Sequence, residues 1–144
     1  GATTPWLTER HGYDPTFEWR RKKLEWELDK NRPICPQLCE LLCVQIANGE
    51  LKPNQRLKSV RELALLAGVN PNTVQKSFEQ LERQGLIYSV RGTGWFVGET
   101  TEKAKETVNE IIRKKTAEYL DEMRKLGLDT PTAKKYIEEW DTDE

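Results

Sequence analysis

Hydrophobic positions recur at helical intervals from Pro36 onward. Leu38, Leu41, Leu42, Gln45 and Ile46 predict an amphipathic helix that Gly49 closes. Residues 51–58 lose the period and read as a loop. Ser59-Val60-Arg61-Glu62 then forms a capping box, in which Ser59 can accept the Glu62 amide while Glu62 reaches back. It opens a short helix, SVRELALLAG, that ends at Gly68. Asn70-Pro71 starts another, with Val74, Phe78 and Leu81 on its apolar face and Gly85 at its end. Two β-rich runs follow, Leu86–Val90 and Trp95–Val97, on either side of Arg91-Gly92-Thr93-Gly94. Farther on, Val108, Ile111, Ile112, Tyr119, Leu120, Met123 and Leu126 predict one long helix over roughly 102–126, ended by Gly127. At 1.5 Å per residue it would run about 37 Å, longer than a small domain covers, so part of its stripe needs another partner. Thr130-Pro131 caps a last helix carrying Tyr136, Ile137 and Trp140.

The N-terminal side is less regular. The first 13 residues read as an extended arm, Asp14-Pro15 as a helix start, Leu24–Leu28 as a short strand and Asp29–Pro33 as a turn. The expected organisation is an arm over 1–32, a central domain over 33–98 and a helical region over 99–144. The fold class is mostly α with a small β-wing.

Two helices separated by Gly68-Val69-Asn70 have helix-turn-helix spacing. The glycines at 92 and 94 admit two interpretations. A phosphate-cradling loop would follow a strand and open a helix. Here they lie between two β-rich runs, with no helix start until about Thr101, so a hairpin is favoured. A hairpin directly after a helix-turn-helix is a wing.

Charge sharpens this picture. The net formal charge is −1, which argues against a uniformly basic nucleic-acid binder. Residues 33–97 nevertheless hold seven Lys/Arg against five Asp/Glu, whereas residues 98–144 hold nine against thirteen. The middle is mildly basic and the tail acidic. No run approaches the ~20 apolar residues of a membrane span, and there is no signal-peptide pattern. Three cysteines fit a reducing cytosol better than a disulfide framework.

A recognition helix presents short polar groups at its N-terminal end, because that end enters the major groove. Asn72 and Gln75 suit base edges, adenine above all, and Thr73 suits a phosphate or a thymine methyl. Lys76 offers charge to the backbone. Arg56, Lys58 and Arg61 cluster at the start of the preceding helix, where Arg61 suits a phosphate or a nearby base. At the wing tip, Gly92 and Gly94 allow close backbone approach, and Arg91, with Thr93 nearby, can reach the minor groove. Asn70 is read first as a helix cap. The stripe Val108, Ile111, Ile112, Tyr119, Leu120, Met123, Tyr136 and Trp140 is assigned to symmetric pairing, since an isologous dimer matches a palindromic operator, with packing on the N-terminal arm as the lesser alternative.

The segment ANGELKPNQRLKSVRELALLAGVNPNTVQKSFEQLERQGLIYSVRGTGWFV strongly resembles the winged helix-turn-helix domain of GntR-family bacterial transcription regulators. The resemblance covers about residues 33–97. It implies a homodimeric repressor bound to double-stranded operator DNA, with contacts from Arg56, Ser59, Arg61, Asn70, Asn72, Thr73, Gln75, Arg91 and Gly92. Departures from the family pattern are Lys58 for a proline, Pro71 where many relatives have arginine, Cys35 for an aromatic residue, and Trp95 for threonine. The 47 residues after the wing resemble the short YtrA-like subgroup rather than relatives with a large metabolite-binding domain.

Cys35, Cys39 and Cys43 share one helix face. With His11 remote and no CxxC pair, they read as small buried apolar residues rather than a metal site, with a thiol sensor as the lesser alternative. No catalytic constellation is present, and no cofactor is expected. Trp6, Trp19, Trp26 and Trp140 read as packing residues, with an aromatic effector pocket as the lesser alternative. The rivals to a DNA-binding regulator are a winged-helix protein-interaction module and a nucleotide-binding enzyme using Arg91–Gly94.

Overall fold

The computed structural model describes residues 28–140. The expected helix at Asp14-Pro15 and all but the last residue of the expected strand at 24–28 lie outside the described residues, as do Trp6, Trp19 and Trp26.

Helix α1 spans Ile34–Ala47 and begins two residues before the expected start at Pro36. Pro33 takes the N-cap position and offers no side-chain cap. Gln37, in the first turn, instead ties the preceding turn to the helix. Its amide nitrogen donates to the carbonyls of Asp29 (2.9 Å), Arg32 (3.3 Å) and Pro33 (2.9 Å), and its Oε1 accepts from the Asp29 amide at 2.7 Å. Pro36 is tolerated there because first-turn amides have no intrahelical acceptor. Leu38, Cys39, Leu42, Cys43 and Ile46 form the buried face, while Leu41 is only half-buried.

Helix α2 spans Val60–Ala67 and shows the capping box expected of Ser59 and Glu62. The Ser59 hydroxyl oxygen accepts the Glu62 amide at 3.1 Å, and Glu62 Oε1 accepts the Ser59 amide at 3.2 Å. Gly68 ends it in the left-handed region, φ +67°, which a residue with a Cβ adopts only at a cost. Helix α3 spans Pro71–Arg83, capped by Asn70 with Pro71 in its first turn. Val74, Ser77, Phe78 and Leu81 are its buried face. Both α1 and α2 pack against α3.

Strands β1 (Ile87–Val90) and β2 (Gly94–Val97) pair antiparallel, Ile87 opposite Val97 and Val90 opposite Gly94. The free edge of β2 is also occupied, by a segment expected to be simple loop. Leu57 donates to the Trp95 carbonyl (2.8 Å), Val97 to Gln55 (2.9 Å) and Asn54 to Val97 (3.0 Å), with Arg56 bridging to Phe96. The segment leading into α2 therefore serves as a third strand of the wing.

Helix α4 spans Glu102–Lys125, and the chain divides within it into two units, one ending at Val108 and one beginning at Asn109. In the first unit Ala104 and Val108 are buried, and the Cys43 thiol donates to the Ala104 carbonyl at 3.5 Å. In the second, α4 gives way to a turn in which Gly127 has φ +92°, and helix α5 spans Thr130–Glu139. The cap of α5 is Asp129, whose carboxylate accepts the Thr132 amide at 3.0 Å, and not Thr130, which is the first helical residue. Aspartate is the better acceptor at that position because its charge also meets the helix dipole. Trp140, expected within the helix, is its C-cap with extended backbone.

The capping box makes a stability prediction. Hydrogen bonds from Ser59 hold the exposed Glu62 carboxyl below its ordinary value of 4.5. A lowered folded-state pKa contributes stability above the unfolded value and loses it as the pH falls through the folded one. Ser59→Ala should cost about 1 kcal/mol in denaturant unfolding. The gap between wild type and Glu62→Gln should be present at neutral pH and close at acid pH; a gap that widens on acidification would contradict the capping role.

Candidate nucleic-acid interface

The first turns of α3 are sorted by exposure. Asn70, Asn72, Gln75 and Lys76 are exposed and Thr73 is half-buried, while Val74 and Phe78 have no exposed surface at all. An amphipathic helix with its inner face sealed can offer only its outer face to a partner. Asn70 is committed to capping, its Oδ1 accepting the Asn72 amide at 2.8 Å. Its NH2 group remains a donor. Gln75 Nε2 lies 3.3 Å from Glu79 Oε2, a contact at the long end of the range that a stronger acceptor can replace. Ser77 anchors the inner side: its hydroxyl donates to the Thr73 carbonyl at 2.8 Å, with the Cys35 sulfur 3.3 Å away.

The start of α2 adds a second group. Ser59 uses its hydroxyl oxygen in the cap, leaving its hydroxyl proton available. Lys58 and Arg61 are exposed, and among the described residues neither meets a carboxylate in an ion pair. The same holds for Lys76 and Arg91. Arg56 and Lys58 lie close enough to Glu62 to lower its pKa further.

The wing tip is the third. Arg91, Gly92 and Thr93 connect the strands and are exposed, with the Thr93 amide donating to the Val90 carbonyl at 2.9 Å. Gly92 has φ +77° and nothing within 4 Å of where a Cβ would stand. Arg56 differs from the other basic residues, since its Nη2 donates to the Thr93 carbonyl at 2.6 Å. Sequence reasoning placed Arg56 and Thr93 in one interface but had no signal for this bond, which spans 37 positions. It also missed that Trp95 meets Phe78 of α3 edge-on, with ring centroids 5.3 Å apart.

Of the three cysteines expected to be buried, Cys39 and Cys43 are. Burial pushes the Cys39 thiol up to about 12 and the Cys43 thiol up to about 11, which keeps both protonated at neutral pH. Cys35 is half-buried. Among the described residues no group of His, Cys, Asp and Glu could hold a metal ion, and no helix is long and apolar enough to cross a membrane.

The residues assigned to pairing divide. Val108 is only 5% exposed within the chain itself, which leaves it little surface for a partner. Ile111, Ile112 and Leu120 are half-buried. In the second unit, Tyr119, Met123, Tyr136 and Trp140 line an apolar groove of about 610 Å³ together with Leu126, Leu128 and Ile137. Leu128 escaped the periodicity because it sits in the turn between the helices.

Comparison with known proteins agrees with this arrangement. Residues 37–97 match the gntR family of bacterial regulatory proteins. The uncharacterized HTH-type transcriptional regulator YhcF of Bacillus subtilis (strain 168) is 32% identical over 102 residues, 71% of this chain and 84% of that one. The HTH-type transcriptional repressor YtrA of the same organism is 32% identical over 115 residues, 77% of this chain and 86% of that one. Among solved structures, a GntR family transcriptional regulator from Listeria monocytogenes superposes with a TM-score of 0.72 at 32% identity, covering 79% of this chain and all of that one. All three matches run beyond the winged domain, one of them to the repressor YtrA, and the chain belongs to the GntR family of bacterial transcription regulators.

Proposed function

We propose that the chain is a homodimeric repressor that reads a palindromic DNA operator through the first turns of α3 and the tip of the wing. The observation that carries this reading is the sorting of α3, where an exposed polar tip projects from a helix whose opposite face is fully buried. Asn72 and Gln75 can each make bidentate contacts to adenine in the major groove. Thr73, Lys76, Lys58 and Ser59 would fix the register on phosphates, Arg61 would reach a phosphate or a nearby base, and Arg91 would enter the minor groove beside Gly92. Residues 33–98 would supply this DNA-binding domain and 99–144 the dimerisation region. The name of the relative YtrA, a transcriptional repressor, supports the sign of regulation.

Dimerisation rests on the groove between α4 and α5. Leu126, Tyr136, Ile137 and Trp140 are all more than half exposed. Clustered exposed aromatic and aliphatic side chains of this kind mark association surfaces. Joining two winged domains raises the effective concentration for the second half-site and adds ~10²–10⁴ in affinity.

The reading is tested on a duplex selected by the full chain from a randomised library. Arg61→Ala and Arg91→Ala should each weaken binding by ~1–3 kcal/mol while shifting unfolding by under ~0.5 kcal/mol. Variants that melt early yet bind normally when folded would contradict the assigned roles. Gly92→Val should also weaken binding, because a β-branched residue resists φ +77° and blocks close approach of the backbone. Unchanged affinity and salt dependence would remove the wing from the interface.

Truncation tests the dimer. Since Ala104 and Val108 are buried in the winged unit, the chain should be stopped after Glu110 rather than before α4. This shortened chain should sediment as a monomer and lose tight binding while keeping weak, salt-sensitive association with any duplex. A shortened chain that still sediments as a dimer would place the interface upstream.

A further inference from the structure

We infer that Arg56 is a positioning residue for the wing and contributes to operator binding through Arg91 rather than by a contact of its own. The inference rests on the proposal that the wing touches DNA. Little holds the wing tip in place. The hairpin has two strands of four residues, a length that is marginal without support. Its base is supported on both sides, since β2 pairs with β1 along one edge and with residues 54–57 along the other. Beyond those rungs, the loop of Arg91, Gly92 and Thr93 has one backbone bond, from Thr93 to Val90, and that bond is internal to the hairpin.

Arg56 supplies the tie from outside. It stands opposite Phe96 in the third strand, and its Nη2 reaches the Thr93 carbonyl at 2.6 Å, a charge-assisted bond. The guanidinium also lies beside Gly94: a Cβ built there would stand in ordinary van der Waals contact with it, 3.5 Å from both Nε and Nη2. Of the basic residues assigned to the interface, Arg56 is the one with a hydrogen bond to another element. It also precedes the Ser59 cap of α2 by three residues, so the same segment sets the start of α2 and the direction of the wing tip. Arg91 and Arg61 are thereby held in one relation to each other.

A residue acting through Arg91 gives a signature that a phosphate contact does not. The test is a double-mutant cycle on the full chain, with the duplex selected by the wild type from a randomised library. Arg56→Met should weaken binding about tenfold in the wild type. In the Arg91→Ala background the same substitution should weaken it no more than about twofold. In the free protein, amide order parameters at 91–94 should fall from about 0.85 to about 0.6 or below, while those of α3 hold. An equal fold-loss in both backgrounds would overturn the inference, and so would a further drop of about one in the salt slope of the Arg91→Ala protein, which would signal a lost phosphate contact. Unchanged order at 91–94 would overturn it too. If Arg91→Ala itself binds normally, the wing reading fails, and the order parameters alone decide whether Arg56 holds the tip. Should Arg56→Met fail to fold, Arg56→Lys carries the same cycle with the charge retained, because an ammonium lacks the planar fork whose Nη2 reaches the Thr93 carbonyl.

Discussion

Phe78 is the side chain through which the helix-turn-helix and the wing are held in one geometry. It has no exposed surface, sits on the inner face of α3 with Val74 and Leu81, and meets Trp95 of the wing at an interplanar angle of 64°. It also borders a small cavity of about 70 Å³ with Leu42 of α1, Leu57 of the third strand and Leu63 of α2. Side chains from four elements thus converge around one buried ring. An aromatic core side chain of this kind contributes about 3–5 kcal/mol against truncation to alanine. Its larger effect is rotational. Turning α3 by one residue, about 100°, would draw Phe78 out of the core and carry Asn72 and Gln75 away from the outer face. The polar tip points outward because the apolar side has one low-energy way to pack.

That constraint explains how a chain of net charge −1 can serve a polyanion. The cations are few but fixed at the ends of rigid elements: Lys58 and Arg61 at the cap of α2, Lys76 in the second turn of α3, and Arg91 at the wing tip. Acidic residues accumulate in the C-terminal segment instead. Placement rather than net charge supplies the field a phosphate backbone would meet.

Much of this was legible in the sequence because the signals are local. The Ser59–Glu62 box, the αL stop at Gly68, the Asn70-Pro71 start and the Val74–Phe78–Leu81 stripe depend on neighbours a few positions apart, and each forms as expected. The hairpin follows from glycines between two β-rich runs. The third strand was not legible. Residues 54–57 are held by hydrogen bonds to backbone some forty positions away, and one buried residue, Leu57, makes no period. The same distance hid the Arg56–Thr93 bond. Periodicity also cannot say which partner an apolar face meets, so Val108 fell on the pairing stripe although the chain buries it itself. At α5 the expected cap was displaced by one residue because Asp129 and Thr130 are both good capping residues, and only the hydrogen bond to Thr132 decides between them.

The most direct measurement is the sequence that the full chain enriches from a random pool of duplexes at physiological salt. Two copies of a recognition helix related by two-fold symmetry read half-sites about one helical turn, roughly 34 Å, or a multiple of it apart. The account predicts enriched duplexes carrying inverted half-sites at such a spacing, with conserved adenines where Asn72 and Gln75 reach the base edges. Enrichment of single, asymmetric sites, or no enrichment over the starting pool, would contradict it.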